Sequence, residues 1–218
     1  MNEKKLLLIN IAGFASDGKN KSGQLKKMFP DAKVVNIITS GIDPDEVIVK
    51  ILTEKATDRD SLAIIIGSSL GGYYAHLASI KLDCPSILIN PSMKPWETLQ
   101  DKVGINNFFN GGTFKLTKRH LSRMEEIVNL MEKTVGLYDE IDDPPYALFT
   151  GSMDERLDHT VTRSLLQFPN IDCTVRGYDH RFEDISIIKS AIELLENYKV
   201  AIEDDSFSPH DPFGDDED

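Results

Sequence analysis

Ser69 is the residue around which chemistry can be built. It lies in Gly67-Ser68-Ser69-Leu70-Gly71, a G-x-S-x-G pattern, after the apolar run Ala63-Ile64-Ile65-Ile66 and before the helix-forming Gly72-Tyr73-Tyr74-Ala75-His76-Leu77-Ala78. A serine on a strained turn between a buried strand and a helix presents its hydroxyl as a nucleophile. Gly67 and Gly71 have a mechanical purpose in that turn, because a side chain at either would collide with the neighbouring helix or strand. The plainer alternative is a tight strand-to-helix turn with a helix-capping serine. Ser68 is out of frame with the pattern.

A serine hydroxyl needs a base, and the base needs an orienting acid. In open parallel sheets the reacting groups gather beyond the carboxyl ends of the strands, which filters the candidates. His180 follows the run Ile171 to Val175, at the correct edge. His76 is two helical turns beyond the serine and points away, His120 and His159 sit near helix starts, and His210 is in the C-terminal tail. Asp142 and Asp143 precede the run at Tyr146, at the wrong end. Asp154 follows it at the right end, with Asp158 and Glu155 as fallbacks. The chain order Ser69, Asp154, His180 is that of a strand-elbow hydrolase. An oxyanion would then rest on two backbone amides. One is that of Leu70; the other comes from the turn Ala12-Gly13-Phe14-Ala15-Ser16, where Phe14 is the expected donor.

The elements that must position these groups read as strands alternating with helices. Short apolar runs recur at Leu6 to Ile11, Val34 to Ile38, Leu62 to Ile66, Ser86 to Ile89, Tyr146 to Phe149 and Ile171 to Val175. They lack polar alternation, as expected of parallel strands covered on both faces. Asp43-Pro44-Asp45-Glu46 opens a helix with an N-cap, a proline and acids in its first turn. Leu121 to Val135, stopped by Gly136, and Ile185 to Tyr198 carry helical apolar stripes. The pattern predicts a three-layer α/β fold: a mostly parallel, doubly wound sheet flanked by helices, with a minimal cap. Residues 91–118 break the rhythm with Pro91, Pro95, Gly104, Gly111 and Gly112. Their aromatics Trp96, Phe108 and Phe109, with Phe14, are the expected substrate pocket, although such rings equally serve as plain core. Lys94, Lys115, Lys118 and Arg119 either form a solvated basic face or attract an anionic leaving group such as the phosphates of CoA.

These motifs together resemble a family. "AGFASD", "GSSLGGYYA", "INPSMKPWETL", "TGSMDERLD" and "YDHRFED" are similar to the YqiA-like esterases, small members of the α/β-hydrolase superfamily. The likeness runs from about Leu6 to Tyr198, and the pairs Asn90-Pro91 and Lys94-Pro95 are its most distinctive part. The resemblance implies nucleophile, acid and base at Ser69, Asp154 and His180, and ester or thioester hydrolysis on a compact scaffold. The family usually has a histidine before the first-turn glycine, where this chain has Ala12.

Composition narrows the alternatives. The chain has 218 residues and 40% hydrophobic side chains, enough for one domain over residues 1–202. Its 24 Lys and Arg against 36 Asp and Glu give a net charge of -12, which disfavours nucleic-acid binding. Residues 203–218 carry eight acids and no Lys or Arg, with Phe207 and Phe213 as the only large apolar groups. That composition predicts a disordered tail, either passive or an anchor for a basic protein partner. Lys4 and Lys5 before Leu6-Leu7-Leu8-Ile9 imitate a secretory signal, but Asn10 breaks the run and a buried strand is expected. No run reaches the length of a membrane span. Cys84 and Cys173 match no metal or redox spacing and are expected to stay reduced in a cytoplasmic protein. The expectation is a serine esterase or thioesterase that needs no cofactor or metal and acts on a small acyl ester or thioester. Two rivals stay open: a non-catalytic hydrolase-like binding or interaction protein, and another acyl-transfer enzyme such as a peptidase or acyltransferase.

Overall fold

The computed structural model describes residues 5–135, 144–166 and 169–203. The chain alternates strand and helix as its apolar pattern requires. In order, β1 (Leu6–Ile11), α1 (Lys19–Met28), β2 (Lys33–Ile37), α2 (Pro44–Thr57), β3 (Leu62–Ser68), α3 (Leu70–Leu82) and β4 (Ser86–Ile89) form the first half. Then come α4 (Pro95–Thr98), β5 (Gly104–Asn107), β6 (Thr113–Leu116), α5 (Lys118–Val135), β7 (Tyr146–Gly151), α6 (His159–Leu165), β8 (Ile171–Val175) and α7 (Lys189–Glu203). Six strands make one parallel sheet in the order β2-β1-β3-β4-β7-β8.

Both faces of that sheet are covered, which is why its central strands read as unbroken apolar runs. Leu7, Ile9 and Ile11 of β1 and Ile65 of β3 pack with Val47 and Ile51 of α2, Tyr73 and Tyr74 of α3, and Met124 and Ile127 of α5. Leu6 and Leu8, with Ile64 and Ile66, face the other way onto Leu25 of α1 and Ile192 and Leu195 of α7. The result is the expected three-layer α/β architecture. Asp43 caps α2 as its sequence suggests, its carboxylate accepting the Asp45 amide at 3.1 Å with Pro44 in the first turn.

The structure also adjusts the expected limits. β2 lies one residue earlier than the apolar run. β3 continues through Gly67 and Ser68, and β7 through Thr150 and Gly151, because ladder pairing with β1, β4 and β8 extends past the last large apolar side chain. The stripe beginning at Ile185 starts in a short 3-10 turn, Ser186–Ile188, before α7. The irregular stretch 91–118 contains α4 and an antiparallel hairpin, β5 with β6. Gly136, His210, Phe207, Phe213 and the acidic run after Glu203 lie outside the described residues. Cys84 and Cys173 are not joined, and no helix among the described residues is long and apolar enough to cross a membrane.

Two glycines let α3 press against the sheet. A Cβ on Gly71 would lie 2.1 Å from the Ile11 carbonyl oxygen, and one on Gly67 would lie 2.2 Å from that of Gly71. Both obstacles are backbone and cannot swing aside. Gly23, in the middle of α1, has nothing within 4 Å of such an atom. Gly71→Ala is therefore expected to destabilise the fold by about 3 kcal/mol or more. Gly23→Ala should stabilise it by about 0.5–1 kcal/mol, by relieving the conformational cost of a helical glycine. Urea unfolding midpoints of the two variants would check both signs.

Candidate functional site

The parallel sheet delivers three loops to one edge. β3 runs straight into Ser69, whose backbone adopts φ 55° and ψ -119°, a strained conformation for any residue other than glycine. Surrounding backbone holds it there. The Ser69 amide donates to Ile89 O at 2.9 Å, and the Ser69 carbonyl accepts from the amides of Gly72 (2.9 Å) and Ser92 (3.0 Å).

The loop after β7 carries Asp154, and the loop after β8 carries His180. Asn90, fully buried at the end of β4, joins them. Its side-chain oxygen accepts the Gly151 amide at 2.7 Å, while its side-chain nitrogen donates to the carbonyls of Asp179 (3.0 Å) and His180 (3.2 Å). Gly151 has no room for a Cβ, which would fall 2.3 Å from Tyr178 O. On the other side, Lys21 of α1 donates to Arg181 O at 2.7 Å. Burial pushes the Lys21 pKa down to about 8, against the opposing pull of Glu183 and Asp179.

These supports bring Ser69, His180 and Asp154 into a hydrogen-bonded chain. Ser69 Oγ lies 3.0 Å from His180 Nε2, and His180 Nδ1 lies 3.0 and 2.9 Å from the two carboxylate oxygens of Asp154. With Nδ1 protonated toward the carboxylate, Nε2 is left to accept the serine proton. The Asp154 side chain is only 1% exposed. Its Oδ1 also accepts the amides of Arg156 (2.8 Å) and Leu157 (3.2 Å), and its Oδ2 lies 3.0 Å from His159 Nε2. Burial works to raise its pKa. The nearby His159 imidazole and the hydrogen bonds from His180 and the Arg156 amide outweigh that, and the carboxyl is held well below the ordinary range.

The other candidates fall elsewhere. Asp158 caps α6, accepting the Thr160 amide at 2.9 Å, and Glu155 turns outward to Arg156. His76 sits mid-α3 with its ring edge toward Tyr146, and His120 lies in the first turn of α5.

Gly13 allows the loop after β1 to close on Ser69: a Cβ there would lie 2.9 Å from Ser68 O and 3.3 Å from Ser69 Cβ. Among the described residues, neither the Phe14 nor the Leu70 amide is taken up by a hydrogen bond. The loop is pinned around them. The Ala12 amide donates to Ile37 O, the Thr39 hydroxyl to Ala12 O at 3.1 Å, and the Ala15 amide to Ser40 Oγ at 2.8 Å.

A cleft of about 640 Å³ opens over Ser69, with Phe14, Leu70, Leu99, Phe109 and Leu157 on its wall. Of the three aromatics expected there from the excursion, only Phe109 lines it. Trp96 packs edge-on to Tyr73 at 6.4 Å, and Phe108 packs on Phe114 at 4.6 Å. Both rings take their apolar contacts inside the fold. The cations on the wall are Lys21, Lys102, Arg156 and Arg181. Lys94, which pairs with Glu97, is not among them, and neither are Lys115, Lys118 and Arg119. Among the described residues no cluster of three His, Cys, Asp or Glu side chains is arranged to hold a metal ion.

Two residues that organise the edge carried little signal in sequence. Asn90 stood out only as part of a distinctive Asn-Pro pair, and His159 only as a histidine at a helix start.

A model of the "Uncharacterised protein family (UPF0227)" matches residues 7–196, and this is the family that the motifs resemble. A UPF0227 protein from Shewanella woodyi is 24% identical over 200 residues, covering 88% of this chain and 99% of that protein. Among solved structures, Est1E from Butyrivibrio proteoclasticus superposes with a TM-score of 0.59 at 15% identity, covering 91% of this chain and 88% of its own. Mouse alpha/beta hydrolase domain-containing protein 10 does so with a TM-score of 0.58 at 17% identity, covering 92% and 90%. At these identities the structural likeness speaks for the α/β-hydrolase fold.

The depressed Asp154 pKa has a consequence for stability. A carboxylate favoured in the folded state contributes stability above its unfolded pKa of about 3.9, and that contribution fades as pH falls toward the folded value. Urea unfolding of wild type should therefore weaken more steeply below about pH 4 than that of Asp154→Asn. Parallel slopes for the two proteins would show that no such coupling exists.

Proposed function

The chain belongs to the UPF0227 family, and for it we propose a serine hydrolase that cleaves carboxylic esters or thioesters through an acyl-enzyme on Ser69. The observation that carries this reading is the line from Ser69 Oγ through the His180 ring to Asp154, closed at both ends within 3.0 Å.

The steps follow from that line. His180 Nε2 takes the Ser69 proton as Oγ attacks the acyl carbonyl carbon, and the imidazolium is steadied by the Asp154 carboxylate. The developing oxyanion receives the amides of Phe14 and Leu70; loss of one such donor typically costs about 3 kcal/mol of barrier. His180 returns the proton to the departing alcohol or thiol oxygen or sulfur. Water then enters, His180 accepts one of its protons as the oxygen attacks the acyl carbon, and the imidazolium passes that proton to Ser69 Oγ as the acyl bond breaks, freeing the acid and regenerating Ser69. The apolar wall of Phe14, Leu70, Leu99 and Leu157 suits the acyl chain of a small substrate. No step requires a metal or a nucleotide.

A fluorophosphonate probe tests the nucleophile. Wild type should label and Ser69→Ala should not; an unlabelled but folded wild type would favour a binding scaffold. A panel of p-nitrophenyl esters, acyl-CoAs and peptides then separates esterase and thioesterase from peptidase. Asp154→Asn should lower kcat by roughly 10³–10⁴-fold with the fold intact by circular dichroism. Near-normal turnover would sink the assignment of Asp154 as the orienting acid.

A further inference from the structure

The Asp154 carboxylate faces two imidazoles, and the mechanism uses only one. His159 Nε2 stands 3.0 Å from Oδ2, on the oxygen that receives no backbone amide. The approach lies off the line of a straight hydrogen bond, and among the described residues neither ring nitrogen of His159 has a hydrogen-bond partner. The ring is 13% exposed. A buried polar edge this close to a carboxylate oxygen needs only a small turn of the ring to donate to it, and that contact would offset the hydration the ring has lost.

The two oxygens of Asp154 are unequally held. Oδ1 accepts from Arg156 and Leu157 and lies 3.0 Å from His180 Nδ1. Oδ2 has His180 Nδ1 at 2.9 Å and His159. Without His159, a buried charged oxygen would keep only the proton that must remain on His180. The two amides would then be free to draw the carboxylate round toward their own side. The position of the second imidazole is itself fixed. His159 is the first residue of α6, and the preceding Asp158 is committed to capping that helix.

We propose that His159 is a positioning residue for the Ser69–His180–Asp154 chain, holding Oδ2 so that the carboxylate stays turned toward His180 Nδ1. It touches neither substrate nor the serine; it acts through Asp154. This inference rests on the serine-hydrolase reading above.

The test compares full-length wild type with His159→Phe and His159→Gln. Phenylalanine keeps a ring and removes the donor, whereas the glutamine side-chain nitrogen can occupy the place of imidazole Nε2. His159→Phe should lower kcat on a p-nitrophenyl ester and the rate of fluorophosphonate labelling about tenfold, with KM within twofold. His159→Gln should stay within about threefold of wild type. In an Asp154→Asn background, His159→Phe should have almost no further effect, since the group it serves is gone. If His159→Phe does not fold, as read by circular dichroism, His159→Leu takes its place.

Equal kcat in wild type and the donor-less variant overturns the proposal, as does an equal loss in the glutamine variant or a full tenfold loss that persists without Asp154. Those failures are distinguishable from failure of the underlying reading. In that case wild type itself would not label at Ser69, and the role of His159 would fall with it.

Discussion

Everything at the functional edge depends on a serine whose backbone is held where an L-residue is strained. A residue at φ 55° and ψ -119° persists only if its surroundings over-determine it. Here β3 pairs with β1 through Gly67 and with β4 through Ser68, so the strand stays rigid up to the turn. The next residue must then reverse direction within one step, because α3 begins at Leu70 and lies close against β1. Gly67 and Gly71 make that approach possible by omitting side chains where backbone oxygens lie about 2 Å from a would-be Cβ. The strain at Ser69 is thus balanced by close packing on both sides of it, and the hydroxyl projects into the cleft as a result.

The second constraint concerns the loops after β7 and β8, which run on past the ladder with the Met153 amide donating to Tyr178 O at 2.9 Å. The residues after β7 and β8 must bring Asp154 and His180 into register with a serine more than eighty residues earlier. Asn90 provides that link, with one amide group reaching Gly151 on one loop and Asp179 and His180 on the other. It is fully buried, with φ 41°. Placing its side chain between two backbone segments satisfies their polar groups without water. Lys21 performs a similar service from α1, so the histidine loop is held both from the end of β4 and from α1.

What could be read in the sequence follows from these two kinds of constraint. Apolar runs record burial on both faces, and they located all six strands of the main sheet. They lost the ends of β3 and β7, where glycine, serine and threonine carry the ladder without an apolar signature. The elbow pattern and the rule of the carboxyl edge pointed to Ser69, His180 and Asp154, with Asp158 and Glu155 as fallback acids, and the fold brings the first three within hydrogen-bond reach of one another. Asn90 and His159 escaped because a polar residue that bridges backbone, or shares a carboxylate, has no periodicity and no fixed spacing to its partners. Only the fold brings Asn90 within reach of residues sixty and ninety positions away.

The aromatic-rich excursion divides between the two duties its rings could have had, pocket wall and plain core. Phe108 and Phe114 on the hairpin, with Phe14 on the first loop, form a chain of ring contacts at 4.6 and 5.2 Å. The Phe109 amide donates to Ala15 O at 2.9 Å, and the Asn110 side chain donates to the Asp17 carboxylate at 2.7 Å. Ala15 itself has φ 62°, so the loop following Gly13 is bent into a shape it would not keep alone. The hairpin buttresses that loop from outside while Thr39 and Ser40 hold it from the sheet side. Its rings are therefore spent mainly on fixing backbone beside the serine. Only Phe109 turns to the cleft, where the Arg181 guanidinium lies 5.4 Å above its ring and connects the hairpin to the histidine loop. The position of the Phe14 amide is thus set by the hairpin and by Thr39 and Ser40 after β2 together, and the loop is held closed against Ser69.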